Sequence, residues 1–381
     1  MLSERELARR LHHFIISRLA PQATAAGVTD DTLLFEERVL DSLRILEVIA
    51  FLESELGRRI PDAHVVLANF RSIGTMARVF SAGGDAAIAR PRRKSAIPVF
   101  HRSSGPRQYH SSATAVLLGR GEIEVVARGE IKLHHSALAL TGYFDDTVRG
   151  WAAEHGAVEH EFPEAIEMET LRRAGFLAAF PQKVVKGADA DSAMSPAVCY
   201  HAYPRYAGGA VAEAGSFVTA ACRCFREEQE EDDPLERLRA FTMRELIVVG
   251  SDAAVERLRD DMIGRVSDWM TALGLDGFIE TATDPFFTTE ARGRRLMQEA
   301  RPLKFELRLS VGANRTVAAA SFNNHQQHFG RAFDIHTLNG EVASSGCVAF
   351  GWERWVLGFI AQHGPDEASW PDIVRGHAAV S

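Results

Sequence analysis

Apolar positions near the start of the chain follow a helical period. Leu2, Leu7, Leu11, Phe14, Ile15 and Leu19 recur on one face, and Pro21 ends the run. Thr29, Asp30 and Asp31 read as turn or cap material. Asp41 then precedes SLRILEVIAFLESELG, whose apolar residues are Leu43, Ile45, Leu46, Ile49, Phe51 and Leu52. That segment starts at a good N-cap and stops at Gly57. FRSIGTMARVF supplies a last short helix. Residues 1–80 are therefore expected to form an all-α, four-helix bundle. From 81 to 109 the periodicity disappears. SAGGDAAIARPRRKSAIPVFHRSSGPRQY is rich in Gly, Pro, Ser and Arg, which is linker composition. Its Arg92, Arg93 and Lys94 read as part of a flexible basic tether or as a docking patch.

From 110 to 381 helical and strand patterns mix. ATAVLLG, IEVVARG, IKLHHSALAL, SFVTAACRCF, FTMRELIVVG and LKFELRLSVG read as strands, and AAVERLRDDMIGRVSDWMTALG as an amphipathic helix. The strands are not separated by regular crossover helices. The expected architecture is a mostly antiparallel α+β sheet domain rather than a doubly wound one.

Charge sharpens this division. The formal net charge of −8 splits into −1 over residues 1–80, +5 over 81–109 and −12 over 110–381. A broad polyanion-binding surface on the large domain is disfavoured, because phosphate contacts need a basic face. No apolar run is long enough to span a bilayer, and MLSERELARRLHHF is unlike a secretion signal, so a cytoplasmic protein without membrane contact is expected. The 4 cysteines are too few for a disulfide framework; they read as metal-binding, catalytic or buried. Cys222 and Cys224 point the same way on an extended strand, but lack the second pair of a zinc knuckle; core packing is their other reading.

Three sets of residues carry chemistry. Asp41-Ser42-Leu43 stands where a loop meets a helix, followed by Arg59-Ile60-Pro61-Asp62. The arrangement resembles an acyl carrier protein, in which the serine of Asp-Ser-Leu bears 4′-phosphopantetheine; the resemblance assigns that role to Ser42 and implies a phosphopantetheinyl transferase as partner. A phosphodiester suits a helix N-terminus, where free amides and the helix dipole meet it. The near-neutral charge of residues 1–80 departs from the usual acidity of that family.

Arg223-Cys224-Phe225-Arg226-Glu227-Glu228 leads through a charged loop into Phe241-Thr242-Met243-Arg244-Glu245, and resembles motif 2 of class II aminoacyl-tRNA synthetases. The resemblance gives Arg226 the α-phosphate of ATP, Glu228 the adenine amino group and Phe241 the adenine ring. Gly346-Cys347-Val348-Ala349-Phe350-Gly351-Trp352-Glu353-Arg354 resembles motif 3, which gives Arg354 the γ-phosphate. Arginine suits these roles as a permanently charged fork that matches phosphate.

MSPAVCYHAYP, CFREEQ, FTMREL, LKFEL, SFNNHQQHFGRAFDI and SSGCVAFGWERW together resemble, in order, the amino acid:[carrier protein] ligases, relatives of the atypical seryl-tRNA synthetases of methanogens. The resemblance implies an AMP-forming acid–thiol ligase. It places a zinc ion on Cys199, Glu245 and Cys347, with the fourth position left for the substrate's amino group, and ATP and Mg²⁺ beside it. Two thiolates and a carboxylate are a sound donor set for Zn²⁺. His325 and His328 are rival ligands. Lys304, Glu306, Ser321 and Asn323 would line the same cleft as substrate contacts, or else be ordinary outward-facing strand residues. FPEAIEMETLRRAGFLAAFPQ resembles motif 1, which implies a homodimer. The helix at 253–273 is either an insertion that touches the carrier or a surface helix. The expected reaction loads a small amino acid, glycine or alanine, onto a carrier-protein thiol in cis or in trans. No tRNA is expected as partner, yet tRNA charging and an inactive docking module remain as alternatives.

Overall fold

The structure is a computed structural model that describes residues 2–19, 27–35, 37, 39–40, 44–61, 64–81, 98–102, 109, 112–228, 233, 235–282 and 303–378. Asp41, Ser42, Leu43 and most of the 81–109 segment lie outside the described residues. The chain divides into two compact units: Met1–Ala96 with Ala282–Leu303, and Ile97–Thr281 with Lys304–Ser381.

The first unit is helical. Helix α1 (Glu4–Phe14) is capped by the Ser3 hydroxyl, which accepts from Glu6 N, and continues as a π-helical turn over Ile15–Leu19. Helix α2 (Arg44–Leu56) buries Ile45, Val48, Ile49 and Leu52. The last expected helix, FRSIGTMARVF, starts only at Ile73 as α4 (Ile73–Phe80), and a separate short helix, α3 (Leu67–Phe70), precedes it. The start is set by Ser72, whose hydroxyl accepts from Thr75 N. Leu7, Leu11, Phe35, Ile45, Phe70 and Met76 meet in one core.

The second unit is built on a sheet. Its strands in chain order are β1 (Pro98–Arg102), β2 (Ile123–Ala127), β3 (Glu130–Leu133), β4 (Val158–Glu159), β5 (Ala165–Glu167), β6 (Ser192–Met194), β7 (Ala210–Val211), β8 (Ser216–Phe225), β9 (Ala240–Gly250), β10 (Gly277–Thr281), β11 (Lys304–Gly312), β12 (Arg315–Gln326), β13 (His336–Thr337) and β14 (Ser344–Gly351). Eight of them form one sheet in the order β1-β10-β11-β12-β14-β9-β8-β4, antiparallel except for the short β4–β8 pair. Strand β1 lies inside the segment read from composition as a linker. Backbone pairing with β10 recruits it to the sheet edge.

Two expected strands are corrected. ATAVLLG is helix α5 (Ala113–Gly119), started by the Ser112 hydroxyl, which accepts from Ala115 N. In IKLHHSALAL the strand stops at Leu133, and helix α6 (His135–Glu154) begins at once. The switch has a local cause: the Glu122 carboxylate accepts from Ala137 N and from the Ser136 hydroxyl, satisfying donors at the helix start.

Strand alternation gives the sheet two unlike faces. One is covered by α6, by α10 (Asp252–Ala272) and by the helix Trp352–His363, around Leu246, Val248, Phe322, Val348, Phe350, Trp352 and Trp355. Helix α10 buries Val255, Leu258, Met262, Val266 and Trp269 there, so it is a core helix of this unit. The other face holds Cys222, Cys224, Met243, Ile247, Cys347 and Ala349, packed by α9 (Cys199–Ala202) and the helix His328–Phe333.

Candidate functional site

The second face carries the candidate site. Residues two apart on a strand share a face, and so do residues directly opposite across a ladder. Lys304, Asn323, Cys347 and Ile247 are paired in one row across β11, β12, β14 and β9. Glu306, Ser321, Ala349, Glu245 and Ala220 form the next row. Lys304 and Glu306 also pair with each other at 3.1 Å. The Asn323 amide donates to the Ser321 hydroxyl at 3.0 Å and to the Cys347 sulfur at 3.5 Å.

Cys347 depends on the glycine before it. A Cβ at Gly346 would stand 2.5 Å from Val255 Cγ1 and 2.7 Å from the Asn323 carbonyl oxygen. Only glycine lets α10 and β12 approach the strand this closely.

Cys199, Glu245 and Cys347 offer ligand atoms that all lie within 4.8 Å of one another. All three are buried, with Glu245 only 1% exposed. Val198 N donates to Glu245 Oε1 at 3.0 Å, whereas Oε2 is buried and has no hydrogen-bond partner among the described residues. An unsatisfied buried carboxylate oxygen is costly. Burial raises the Glu245 carboxyl above its ordinary range. At Cys199 a hydrogen bond with Cys347 favours the thiolate, but burial and the Glu245 carboxylate outweigh it and raise the thiol. Cys347 is pushed well up by the hydrogen bond with Cys199 and then by burial. Three acids crowded in a dry site thus hold their protons. A divalent cation in their midst would replace those protons and give the orphaned oxygen a partner. The donor set therefore fits zinc.

Among the described residues this is the group with metal-ligand geometry; Cys222 and Cys224 are not in such a group and lie in the core. His328 is hydrogen-bonded to the Ala174 carbonyl at 2.9 Å. His325 comes nearer, its Nε2 at 3.7 Å from Cys347 Sγ, but it too stands outside the group.

The motif residues lie on elements that adjoin those of the trio: Arg226 follows β8, Phe241 is on β9 and Arg354 is in the first turn of the helix after β14. The Arg226 guanidinium lies over the Phe241 ring, 5.2 Å from its centroid, and its Nε donates to the Pro196 carbonyl at 2.8 Å. Glu228 is held by Lys183 at 2.7 Å and by Arg237 at 3.3 Å. Arg354 donates to the carbonyls of Glu236 and Ala318, each at 3.0 Å. Burial, and then the Arg226 cation, lower its basicity from the ordinary arginine value. The two guanidiniums thus stand near enough for one cation to disfavour the other.

The core of the sheet, residues 217–363, matches the family model for the class II tRNA synthetase core domain (G, H, P, S and T). Amino acid--[acyl-carrier-protein] ligase 1 of Bradyrhizobium diazoefficiens is 31% identical over 284 residues, which cover 64% of this chain and 86% of that protein. The chain belongs to the amino acid--[acyl-carrier-protein] ligase family. Ligase 2 of the same bacterium is 33% identical over 270 residues, covering 62% of this chain and 80% of its own. The type-2 serine--tRNA ligase of Methanococcus aeolicus is 29% identical, but over only 42% of this chain and 31% of that enzyme. Among solved structures, M. kandleri SerRS in complex with A. aeolicus tRNASec superposes with a TM-score of 0.64 at 19% identity, covering 80% of this chain and 67% of the other. That likeness establishes the class II α+β fold of this ligase.

Some residues around the candidate site were not singled out from the sequence. Both carboxylate oxygens of buried Glu353 accept from Thr242 N, at 2.8 and 3.0 Å, clamping the helix that carries Arg354 to the strand that carries Phe241. Lys183 sits in a short 3₁₀ turn, Pro181–Lys183, where no periodicity marks it. Tyr203 is fully buried beside His325. The segment likened to motif 1 forms β5, α7 (Met168–Arg173), α8 (Phe176–Ala179) and that turn. No described helix is long and apolar enough to cross a membrane.

Proposed function

We propose that this ligase activates a small amino acid, glycine or alanine, with ATP and transfers it to the phosphopantetheine thiol of a carrier protein, first of all that on Ser42 of its own chain. The observation that carries the reading is the buried Cys199–Glu245–Cys347 trio, with a carboxylate oxygen unpartnered among the described residues, Glu245 sharing a ladder row with Glu306 and Ser321, and Cys347 sharing one with Lys304 and Asn323. The printed names of the two Bradyrhizobium relatives supply the reaction class.

In this reading Cys199, Glu245 and Cys347 hold Zn²⁺. The metal, when bound, supplies an open position for a free amine, which selects amino acids over hydroxy acids. Lys304, Glu306, Ser321 and Asn323 line the substrate side. Phe241 and Glu228 receive the adenine, and Lys183 and Arg237 must release Glu228 as it binds. Arg226, Arg354 and Mg²⁺ offset the phosphate charge while a carboxylate oxygen of the amino acid bonds to the α-phosphorus and the bond to pyrophosphate breaks. The carrier thiol then loses its proton to solvent as sulfur bonds to the acyl carbon and AMP leaves. No protein nucleophile takes part. Residues 1–80 act as the carrier domain, residues 81–109 as its basic tether and residues 110–381 as the activating domain, in a cytoplasmic homodimer whose serine is loaded by a phosphopantetheinyl transferase.

The test is ATP–pyrophosphate exchange across the amino acids, joined to intact-mass spectrometry of pantetheinylated protein. Exchange with glycine or alanine and a matching mass gain on the Ser42 arm are expected. Absence of exchange with every amino acid would leave a docking module, and saturable charging of tRNA at low salt would establish the tRNA reading instead.

A further inference from the structure

On β12 the alternation that brings Ser321 and Asn323 to the site face brings His325 there too. A register shift between Asn324 and Gln326, with Gln326 at φ +52°, follows directly. The Asn324 side-chain oxygen accepts from Gln326 N at 2.7 Å and holds that kink. The imidazole is then fixed on several sides. Its ring meets Phe329 edge-on, centroids 4.9 Å apart at 83°, and Tyr203 edge-on at 88°. Tyr203 in turn stacks flat on Phe329 at 4.0 Å. Nδ1 faces two hydroxyls, Tyr203 Oη at 3.1 Å and Ser345 Oγ at 3.5 Å. Nε2 faces the Cys347 sulfur at 3.7 Å.

These neighbours fix the tautomer. A metal-bound thiolate only accepts hydrogen bonds, whereas the Tyr203 hydroxyl can donate to Nδ1. We propose that His325 is a positioning residue of the metal centre: it donates Nε2–H to the Cys347 thiolate, and Tyr203 holds its ring and tautomer. The need is electrostatic. Two thiolates and a carboxylate around one dication leave a buried excess negative charge, and Cys347 collects two N–H donors, from Asn323 and His325. His325 stands outside the group whose ligand atoms converge, so it would take none of the positions held by Cys199, Glu245 and Cys347. The inference rests on the zinc reading of the trio and deepens it.

The experiment uses the full-length protein loaded with zinc or with cobalt(II). Zinc affinity is read by competition with a chromophoric chelator, and the thiolate-to-cobalt charge-transfer band reports on the two thiolates, Cys199 and Cys347, of which only Cys347 touches His325. Removing a hydrogen-bond partner that orients a metal ligand typically weakens metal binding about 10- to 100-fold. His325→Leu is expected to show such a loss and a shifted band. His325→Gln, which keeps an N–H near the Nε2 position, is expected to restore most of both. Tyr203→Phe should give a smaller loss with the same direction of shift, and it carries the test if His325→Leu fails to fold by circular dichroism. Folded His325→Leu with unchanged affinity and superimposable cobalt spectra overturns the proposal while leaving the metal site intact. His325→Gln behaving like His325→Leu overturns it in favour of ring packing. Failure of the unaltered protein to bind zinc or cobalt sinks the metal reading itself, and this proposal with it.

Discussion

The two faces of the central sheet are made by the same strands and obey opposite rules. Along β9 and β14 the residues Leu246, Val248, Val348 and Phe350 enter a helix-covered apolar core. Their neighbours Glu245 and Cys347 enter a buried cluster of acids that the protein itself leaves incompletely satisfied. The first face has the packing expected of a stable interior. The second sets aside stability for a binding-competent arrangement, as functional sites commonly do. The contrast is sharp even between adjacent residues. Arg244 is buried on the helical face in a complete network, paired with both oxygens of Asp145 at 2.6 and 2.8 Å and with Glu159 at 3.1 Å. Trp352 adds its indole N–H to Asp145 at 2.9 Å. Glu245, next in sequence, has one oxygen without a hydrogen-bond partner among the described residues.

Substitutions on the two faces should therefore fail differently. Glu245→Gln or Cys347→Ser should abolish zinc binding and lower amino acid activation by more than ~100-fold, the outer bound for loss of a supporting residue, while leaving the folded state largely in place. Metal content by atomic emission and pyrophosphate exchange check this. Zinc retained in both variants would erase the distinction between the faces.

Arg226→Lys and Arg354→Lys should each lower turnover by about 100- to 1,000-fold, the effect of removing one charge-stabilising group from a reacting centre. Neither should alter metal content. Trp355→Ala, on the opposite face, should instead destabilise the fold by about 3–5 kcal/mol, read by denaturant unfolding. Gly346→Ala touches both faces at once. It should destabilise by about 1–3 kcal/mol through overpacking against Val255 and also weaken zinc binding, because Cys347 must shift with the strand.

The smallest expected effect concerns pH. In the metal-free protein the raised carboxyl of Glu245 favours the neutral form, so its contribution to stability is complete below the ordinary carboxylate range and is lost as pH rises through the raised value. Zinc must displace those protons, so zinc affinity should rise with pH and binding should release protons to a weakly buffered solution. Half-buried His201, lowered to about 4 by desolvation, acts in the opposite direction. Between its ordinary value of 6.5 and about 4 the unfolded chain binds the extra proton, so stability should fall as pH drops through that window. Thermal unfolding of apo and zinc-loaded protein across pH separates the two effects.

Much of this was legible in the chain. The strands β8, β9 and β11 and helix α10 follow from alternation and spacing, whereas Lys304, Glu306, Ser321 and Asn323 were grouped through the family resemblance. The convergence of Cys199 on Glu245 and Cys347 came only through family resemblance, since no local pattern joins a short helix to two strands far along the chain. ATAVLLG misled because its apolar run fits a strand as well as a helix, and the deciding cap at Ser112 precedes the apolar pattern. IKLHHSALAL misled because the carboxylate that starts α6, Glu122, lies across a hairpin. His325 was read from the sequence as a rival ligand; it stands outside the ligand group, and its hydrogen-bond partners are tertiary.

Strand β14 has one further consequence. Its eight residues, Ser344–Gly351, serve two compartments through simple odd-even order. Deleting or inserting a single residue there would exchange the compartments, sending a thiol among tryptophans and a valine among acids. Substitutions in this strand can be graded, but its length cannot, and frame-preserving loss of one codon within it should be as damaging as loss of the whole strand.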